Sequence, residues 1–442
     1  MSGAHEPVAT VSPLEATDSP RGHALTGHLT SHPLARHVRR ALTPQPESRN
    51  HLPRLEALRG LAALSVFGYH AVVMRVGEPA AVRSGDPVTR VGLTLNSGVT
   101  LFFLLSGFLL FRPFAESLSH LLPGPRVGAY AIRRVFRIVP AYWVALTALV
   151  LVNLHGDSIP GGPVPYYGFA QIYSTNWIAH GIGPAWSLDT EVVFYALVPA
   201  LAAIVGLAAA SRGGRRRTIA LALAALAAVS LAIKLHVLLA NRFALAFEHK
   251  EWLFWNLDLF AAGMAIATFK DDIDGWLARH PRVHAALPSA GLVGVVAGLG
   301  GAAMMSVHQT GTVDDVARSE LYFLAGVSLL TIGLFAPERS RADSILRWRP
   351  LLVAGLVSYS LYLLHTAVLE RVLPFFDAGG SVPRGVIAGV VGLAASVAAA
   401  ICMFVVVERP AMRFARTLTT RREAKGGAAA LPGKLEAPTR TL

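Results

Sequence analysis

The stretch Arg59-GLAALSVFGY-His70 sets a permanent cation and an imidazole eleven positions apart inside one apolar run. Eleven steps of about 100° close about three turns, so both side chains leave one helical face, about 16 Å apart along the axis. Charged groups inside a bilayer cost several kcal/mol unless paired or solvated, so each asks for a reason. A guanidinium can hold an anion. An imidazole with an unperturbed pKa of about 6.5 can be neutral in a cell and accept a proton from a hydroxyl. The competing readings are snorkelling of Arg59 to headgroups and a structural hydrogen bond from His70.

Other polar groups recur at similar depth. In Pro184-Ala-Trp186-Ser187-Leu-Asp189-Thr-Glu191-Val-Val-Phe-Tyr195, residues Ser187, Glu191 and Tyr195 fall at i, i+4 and i+8 of a helix that Pro184 can start. His365 ends Tyr359-Ser-Leu-Tyr362-Leu-Leu-His365. Counted from their span centres, His70, Glu191 and His365 lie at one level, which predicts a shared polar pocket. Asp189 and Glu191 acting only as helix caps is the alternative. Phe102-Phe103-Leu-Leu-Ser106-Gly107-Phe108 brings small residues to mid-span, where helix packing is the commoner use. Arg133, Arg134 and Arg137 precede Pro140, Tyr142 and Trp143, and arginines at a helix start can clamp phosphate or anionic lipid.

These residues need elements to hold them, and composition says which kind. Of 442 residues, 53% are hydrophobic and 15% charged, with a mean hydropathy of +0.49, outside soluble globular usage. An all-α, polytopic helix bundle is expected. Windows of about 20 apolar residues span hydrocarbon, and ten can be drawn, near 55–76, 93–114, 138–155, 185–209, 218–240, 251–269, 283–305, 320–337, 351–373 and 385–407. With the N-terminus inside, thirty Lys and Arg fall on inner segments and eight on outer ones, which predicts both termini in the cytoplasm. The net charge of +13 is then a topological signal, and nucleic-acid binding is not required. Residues 1–53 read as a disordered arm, 54–410 as the membrane domain and 411–442 as a basic tail. The outer segment 156–184 has no Lys or Arg, is rich in Gly, Pro and Tyr, and could roof a site or be a plain loop. One cysteine, Cys402, allows no intrachain disulfide and no Cys cluster for zinc.

Together RLEALRGLAALSVFGYH, GVTLFFLLSGFLL, RRVFRIVPAYW, PAWSLDTEVVFY and SYSLYLLH, in this order, resemble the membrane-bound acyltransferase type 3 family. The resemblance covers about 54–410. Such proteins use acyl-CoA to O-acylate surface polysaccharides, peptidoglycan or macrolides. It implies that Arg59 and His70 form the family's Arg-x10-His motif, with the histidine catalytic. Phe102 to Phe108, the basic set Arg133, Arg134 and Arg137, and Trp186 to Glu191 fall on further motifs; Asp189 occupies a variable position and receives no role. Some relatives add an extracytoplasmic hydrolase-like domain. About 35 residues follow the last window here, so the acceptor is expected to meet the membrane portion.

Moving an acyl group from a thioester to a hydroxyl needs a base, stabilisation of the oxyanion and anchorage for the donor. The reading assigns His70, Glu191 and Arg59 to catalysis, with Glu191 or His365 orienting His70. Arg133, Arg134, Arg137, Ser106 and Tyr142 are assigned to an acyl-CoA donor, acetyl-CoA above all. Trp186, Ser187, Tyr362 and His365 are assigned to a glycan or macrolide-like acceptor. The expected setting is the plasma membrane of a bacterium, with no metal and no permanently bound cofactor. Two other classes remain open: a secondary transporter coupling protons or anions through Arg59, His70 and Glu191, and a structural or sensory protein.

Overall fold

The computed structural model describes residues 52–76, 87–120, 124–152, 159–178, 180–211, 215–240, 250–305, 312–376 and 382–429. The expected N-terminal arm lies outside them, apart from its last two residues, as does the end of the tail. The described residues are helical, with short turns and no strand.

The first helix, α1 (Pro53–Val76), starts with Pro in its first turn and carries Glu56 there, which suits the positive helix end. A short α2 (Pro87–Thr94) leads into α3 (Ser97–His120), and α4 (Val127–Val152) follows. One turn of helix, α5 (Val164–Tyr167), lies in the outer segment before α6 (Trp186–Ser211) and α7 (Arg215–Leu239). Next come α8 (Leu257–Arg279), α9 (Pro281–Met304), α10 (Thr312–Phe335), the short α11 (Arg341–Leu346), α12 (Arg349–Leu356) and α13 (Ser358–Val372). The chain closes on α14 (Val382–Met403), a π-helical stretch Phe404–Glu408, and α15 (Arg409–Ala429).

Among the described residues eight helices are long and apolar enough to cross a membrane, and α12 with α13 makes a ninth if that pair, bent by 80°, is one span. The expected count was ten. The window at 251–269 falls on α8, which does not meet the same criterion because Lys270, Asp271, Asp272 and Asp274 crowd its second half. Its apolar residues serve protein contacts: Leu257, Phe260, Ala261 and Met264 are buried, packed largely against α3. That contact needs glycine, since a Cβ on Gly107 would overlap the Phe260 carbonyl and one on Gly263 the Leu104 carbonyl. The small-residue reading of Gly107 as a packing position therefore holds.

The bend before α13 has a similar cause. A Cβ on Gly355 would overlap the Glu56 carbonyl, and one on Gly60 would stand 2.5 Å from the Leu351 carbonyl. Thus α12 crosses α1 backbone to backbone, beside Arg59, and the chain turns at Val357 to send α13 along the bundle. Near the start of α1, the Asp343 carboxylate accepts from Arg54 Nε at 2.7 Å, Arg347 Nε at 2.6 Å and the Arg339 N–H at 2.9 Å. Burial alone would raise this carboxyl; the three donors outweigh it and hold it at about 2. Across the bundle, Lys234 on α7 pairs with Asp258 of α8 at 2.6 Å and Glu320 of α10 at 2.9 Å. Ser230 donates to the same Asp258 at 2.9 Å.

Candidate active site

Two cavities lie along α1. The smaller, about 80 Å³, is lined by Arg59, Ser106, Arg134, Arg137, Glu191 and Tyr195 among others. That is room for a handful of waters. The larger, about 500 Å³, is lined by His70 together with α4, α13 and the turn at Gly181–Pro184. Arg59 and His70 thus open into different chambers, as two groups about 16 Å apart on one stripe can.

In the first chamber the spacing reading is met. Ser187, Glu191 and Tyr195 all line it, one turn apart on α6. Ser106 Oγ donates a short hydrogen bond to Glu191 Oε1, and the Tyr195 hydroxyl bonds the same carboxylate. Arg134, three residues from Arg137 on one face of α4, lies over the rings of Tyr130 and Tyr195 at 5.7 and 5.8 Å. Arg137 reaches Met412 Sδ at 3.3 Å. Arg133 is exposed and lines neither chamber.

Glu408 joins this cluster unannounced by the sequence reading. It is 1% exposed and ends the π-helical stretch, the kind of bulge that turns a side chain out of helical register. Oε2 accepts from Ser360 Oγ at 2.8 Å, and Arg137 and Arg59 act on the carboxylate electrostatically. Its Oε1 has no hydrogen-bond partner among the described residues. An acid two residues before Pro410, at the end of the last apolar window, was the available signal.

The pocket expected to unite His70, Glu191 and His365 is divided. His365, 1% exposed, stands 3.1 Å from His70 by its Nε2 to Nδ1 contact, while Glu191 lies in the other chamber. Tyr362 is the partition. Its ring packs against Phe102 and His365, at 5.8 and 5.9 Å. Its hydroxyl donates to the Pro184 carbonyl at 2.7 Å and meets Ser187 Oγ at 2.5 Å. Tyr362 and Ser187 line the first chamber, Pro184 the second.

The histidine pair has a determinate proton order when both rings are neutral. His365 Nδ1 faces only carbonyl oxygens, Tyr362 O at 2.9 Å and Leu361 O at 3.1 Å. Carbonyls accept, so Nδ1 carries the hydrogen and Nε2 keeps its lone pair. His70 Nδ1 must then be the donor, shared between His365 Nε2 and the Val66 carbonyl at 2.9 Å. What remains is His70 Nε2, an unprotonated nitrogen on a ring that borders the larger chamber.

Two assignments go elsewhere. Tyr142, grouped with the donor-binding arginines, lies 140° around α4 from Arg137 and lines neither chamber. Fully buried, it donates to the Tyr166 carbonyl at 2.9 Å and stacks on Phe169. It therefore fastens the outer segment. Trp186 packs edge-on against Phe103 and also lines neither chamber. Asp189 is wholly buried, and neither of its carboxylate oxygens has a hydrogen-bond partner among the described residues. Of the outer segment, Gly181, Ile182, Gly183 and Pro184 line the larger chamber, while Tyr166 and Phe169 line neither. Gly181, at φ +70°, lets the chain turn into Pro184 without a side chain striking Tyr166.

A model of the family described as an acyltransferase domain matches residues 52–405. Peptidoglycan O-acetyltransferase OatA of Listeria monocytogenes serovar 1/2a (strain ATCC BAA-679 / EGD-e) is 25% identical over 355 residues, covering 75% of this chain and 51% of that protein. A putative acetyltransferase, ORF330, of Acidianus two-tailed virus is 34% identical over 107 residues, 24% of this chain and 27% of that protein. The chain thus spans about half the length of the first relative and about a quarter of the second. No solved structure matches. The family match takes in α1 through α14 and with them both histidines of the pair and the three arginines of the smaller chamber; the chain belongs to this acyltransferase family and is a multi-pass membrane protein.

Proposed function

We propose that the protein is an O-acyltransferase that moves an acyl group, acetyl by preference, from acyl-CoA to a hydroxyl of a glycan or macrolide-like acceptor. The observation that carries this is the bare Nε2 of His70, on a ring held by His365 and lining a chamber large enough for an acceptor. The acceptor hydroxyl gives its proton to Nε2 while its oxygen bonds to the thioester carbon. The C–S bond then breaks, the imidazolium returns the proton, and CoA leaves as the thiol. Arg59, Arg134 and Arg137 supply positive charge for the donor's phosphates, and Ser106 and Tyr195 keep Glu191 from pairing closely with them. Ser187 and Tyr362 offer hydroxyls where the carbonyl would pass, suited to a developing oxyanion.

The first chamber is small, so the pantetheine arm enters by widening it and parting Tyr362 from Ser187. Donor access comes from the cytoplasm of a bacterial plasma membrane, with both termini on that side and α8 completing ten passes. The transporter reading has only the intramembrane charges themselves in its favour.

The test is transfer from radiolabelled acetyl-CoA in membranes holding the full chain. His70→Ala should lower transfer by about 10²-fold or more, with the protein still folded and inserted. Unchanged transfer would remove His70 as the base.

A further inference from the structure

The larger chamber has a composition that chooses between acceptor classes. Sugar-binding sites need hydrogen-bonding side chains and flat rings to meet hydroxyls and pyranose faces. Here the walls are aliphatic: Ala145 and Leu149 of α4, Leu364, Val368 and Val372 of α13, and Ala399 of α14. Among the described lining residues there is no Phe, Tyr or Trp, and the polar side chains are His70, Thr366, Glu370 and Arg371. The last two stand at the end of α13, where Arg371 donates to the Ala367 carbonyl at 2.9 Å. The chamber is therefore polar at the imidazole and at one rim, and apolar between.

Ala148 and Val152 also line it, both exposed, on the side of α4 that also exposes Trp143, Val144 and Leu151. A helix of 26 residues that has such a face and is long and apolar enough to cross a membrane turns that face to lipid. Exposed apolar residues of α4 thus border the chamber, which offers a molecule dissolved in the bilayer a way in without crossing water.

We propose that the acceptor is an amphiphile with an aliphatic body, which enters between α4 and α13 from the lipid and presents a hydroxyl to Nε2 of His70. This narrows the acyl-transfer reading and rests on it for the chemistry. The occupied chamber would set the polar head at Glu370 and Arg371 or at His70, with the apolar body against α4 and α13.

The experiment uses the full chain in lipid nanodiscs and a long-chain aliphatic alcohol carrying a diazirine. Photolabelling should fall on residues 145–152 and 363–372. An unlabelled long-chain alcohol should compete, and a free oligosaccharide should not. Ala148→Trp and Ala367→Trp, which narrow the chamber from opposite walls, should each cut labelling about tenfold while binding of labelled CoA is unchanged. Labelling elsewhere, or equal competition by the oligosaccharide, overturns the proposal. So does a variant effect on donors of longer acyl chain with none on the alcohol, which would make the chamber the donor's. Loss of CoA binding in the unsubstituted protein, with labelling as described, would instead sink the acyl-transfer reading and leave an amphiphile site.

Discussion

At the scale of the residue, the proton order in the histidine pair makes a prediction that burial alone does not. His365 is required as an acceptor for His70 Nδ1–H, so a side chain that keeps an acceptor at that place should keep part of the rate. His365→Phe leaves the Nδ1–H with the Val66 carbonyl alone and lets the ring turn; kcat should fall about 10²-fold or more. His365→Gln offers an amide oxygen and should recover about a tenth or more of the rate, with KM for acetyl-CoA unchanged in both. Equal rates for the two variants would mean that His365 is packing only. How much of this was legible in sequence follows from what helical spacing encodes. Ser187, Glu191 and Tyr195 meet in one chamber because their register is a property of one helix. The separation of His70 from Glu191 is not local, for it depends on the Tyr362 ring and a hydroxyl contact to Ser187 from 175 positions away. Depth along a helix can be counted; what stands between two helices at that depth cannot. Glu408 escaped because its place is made by a π-helical turn that no regular period predicts.

At the scale of the element, the helices that do not touch the chambers are held by ionic ties that the apolar pattern conceals. Lys234 and Asp258 are 3% and 5% exposed, so removing one partner leaves a charge without its counterion in a low dielectric. Lys234→Met should cost about 3–5 kcal/mol, seen as a lower thermal midpoint in detergent, and Lys234→Met with Asp258→Leu should recover much of it. Transfer per folded molecule should stay unchanged, since neither residue lines a chamber. The tie at Asp343 carries a pH signature. Its carboxyl is held near 2 in the fold against about 3.9 unfolded. A depressed acid contributes stability fully above the unfolded value and loses it as pH falls through the folded one. The midpoint should therefore drop between about pH 4 and pH 2, and Asp343→Asn should flatten that drop; an unaltered slope would remove the residue from the account. The windows for α1, α3, α4, α6, α7, α9, α10 and α14 were visible because lipid-facing helices need apolar residues all round. For α8 the apolar residues also pack against Gly107 and its neighbours, and the charges that follow them keep the helix below the criterion the other eight meet. For α12 and α13 the apolar signal hid a bend set by the Gly60–Gly355 crossing, which pairs residues 295 positions apart.

At the scale of the whole molecule, the arrangement of the two chambers joins chemistry to membrane orientation. The chamber with Arg59, Arg134 and Arg137 lies toward the end from which α1 starts, and His70 lies eleven residues further toward the other end. Thirty of the 40 Lys and Arg were assigned to the segments on the first side, and positive charge is retained on the cytoplasmic face during insertion. The proposed donor carries several phosphates and cannot cross hydrocarbon, so on that proposal it reaches the arginines from the side on which it is made. Sealed vesicles of the two orientations separate the consequences. Inside-out vesicles should consume added acetyl-CoA at once, and right-side-out vesicles should do so only after permeabilisation, by a factor of about ten or more in initial rate if sealing is good. Arg134→Gln with Arg137→Gln should raise KM for acetyl-CoA in the open orientation, because two charge-assisted contacts to phosphate are lost. If right-side-out vesicles proved the active ones, the charge count would have misassigned the faces and the phosphate-binding role of the three arginines would have to be given up, although the histidine pair and its proton order would stand.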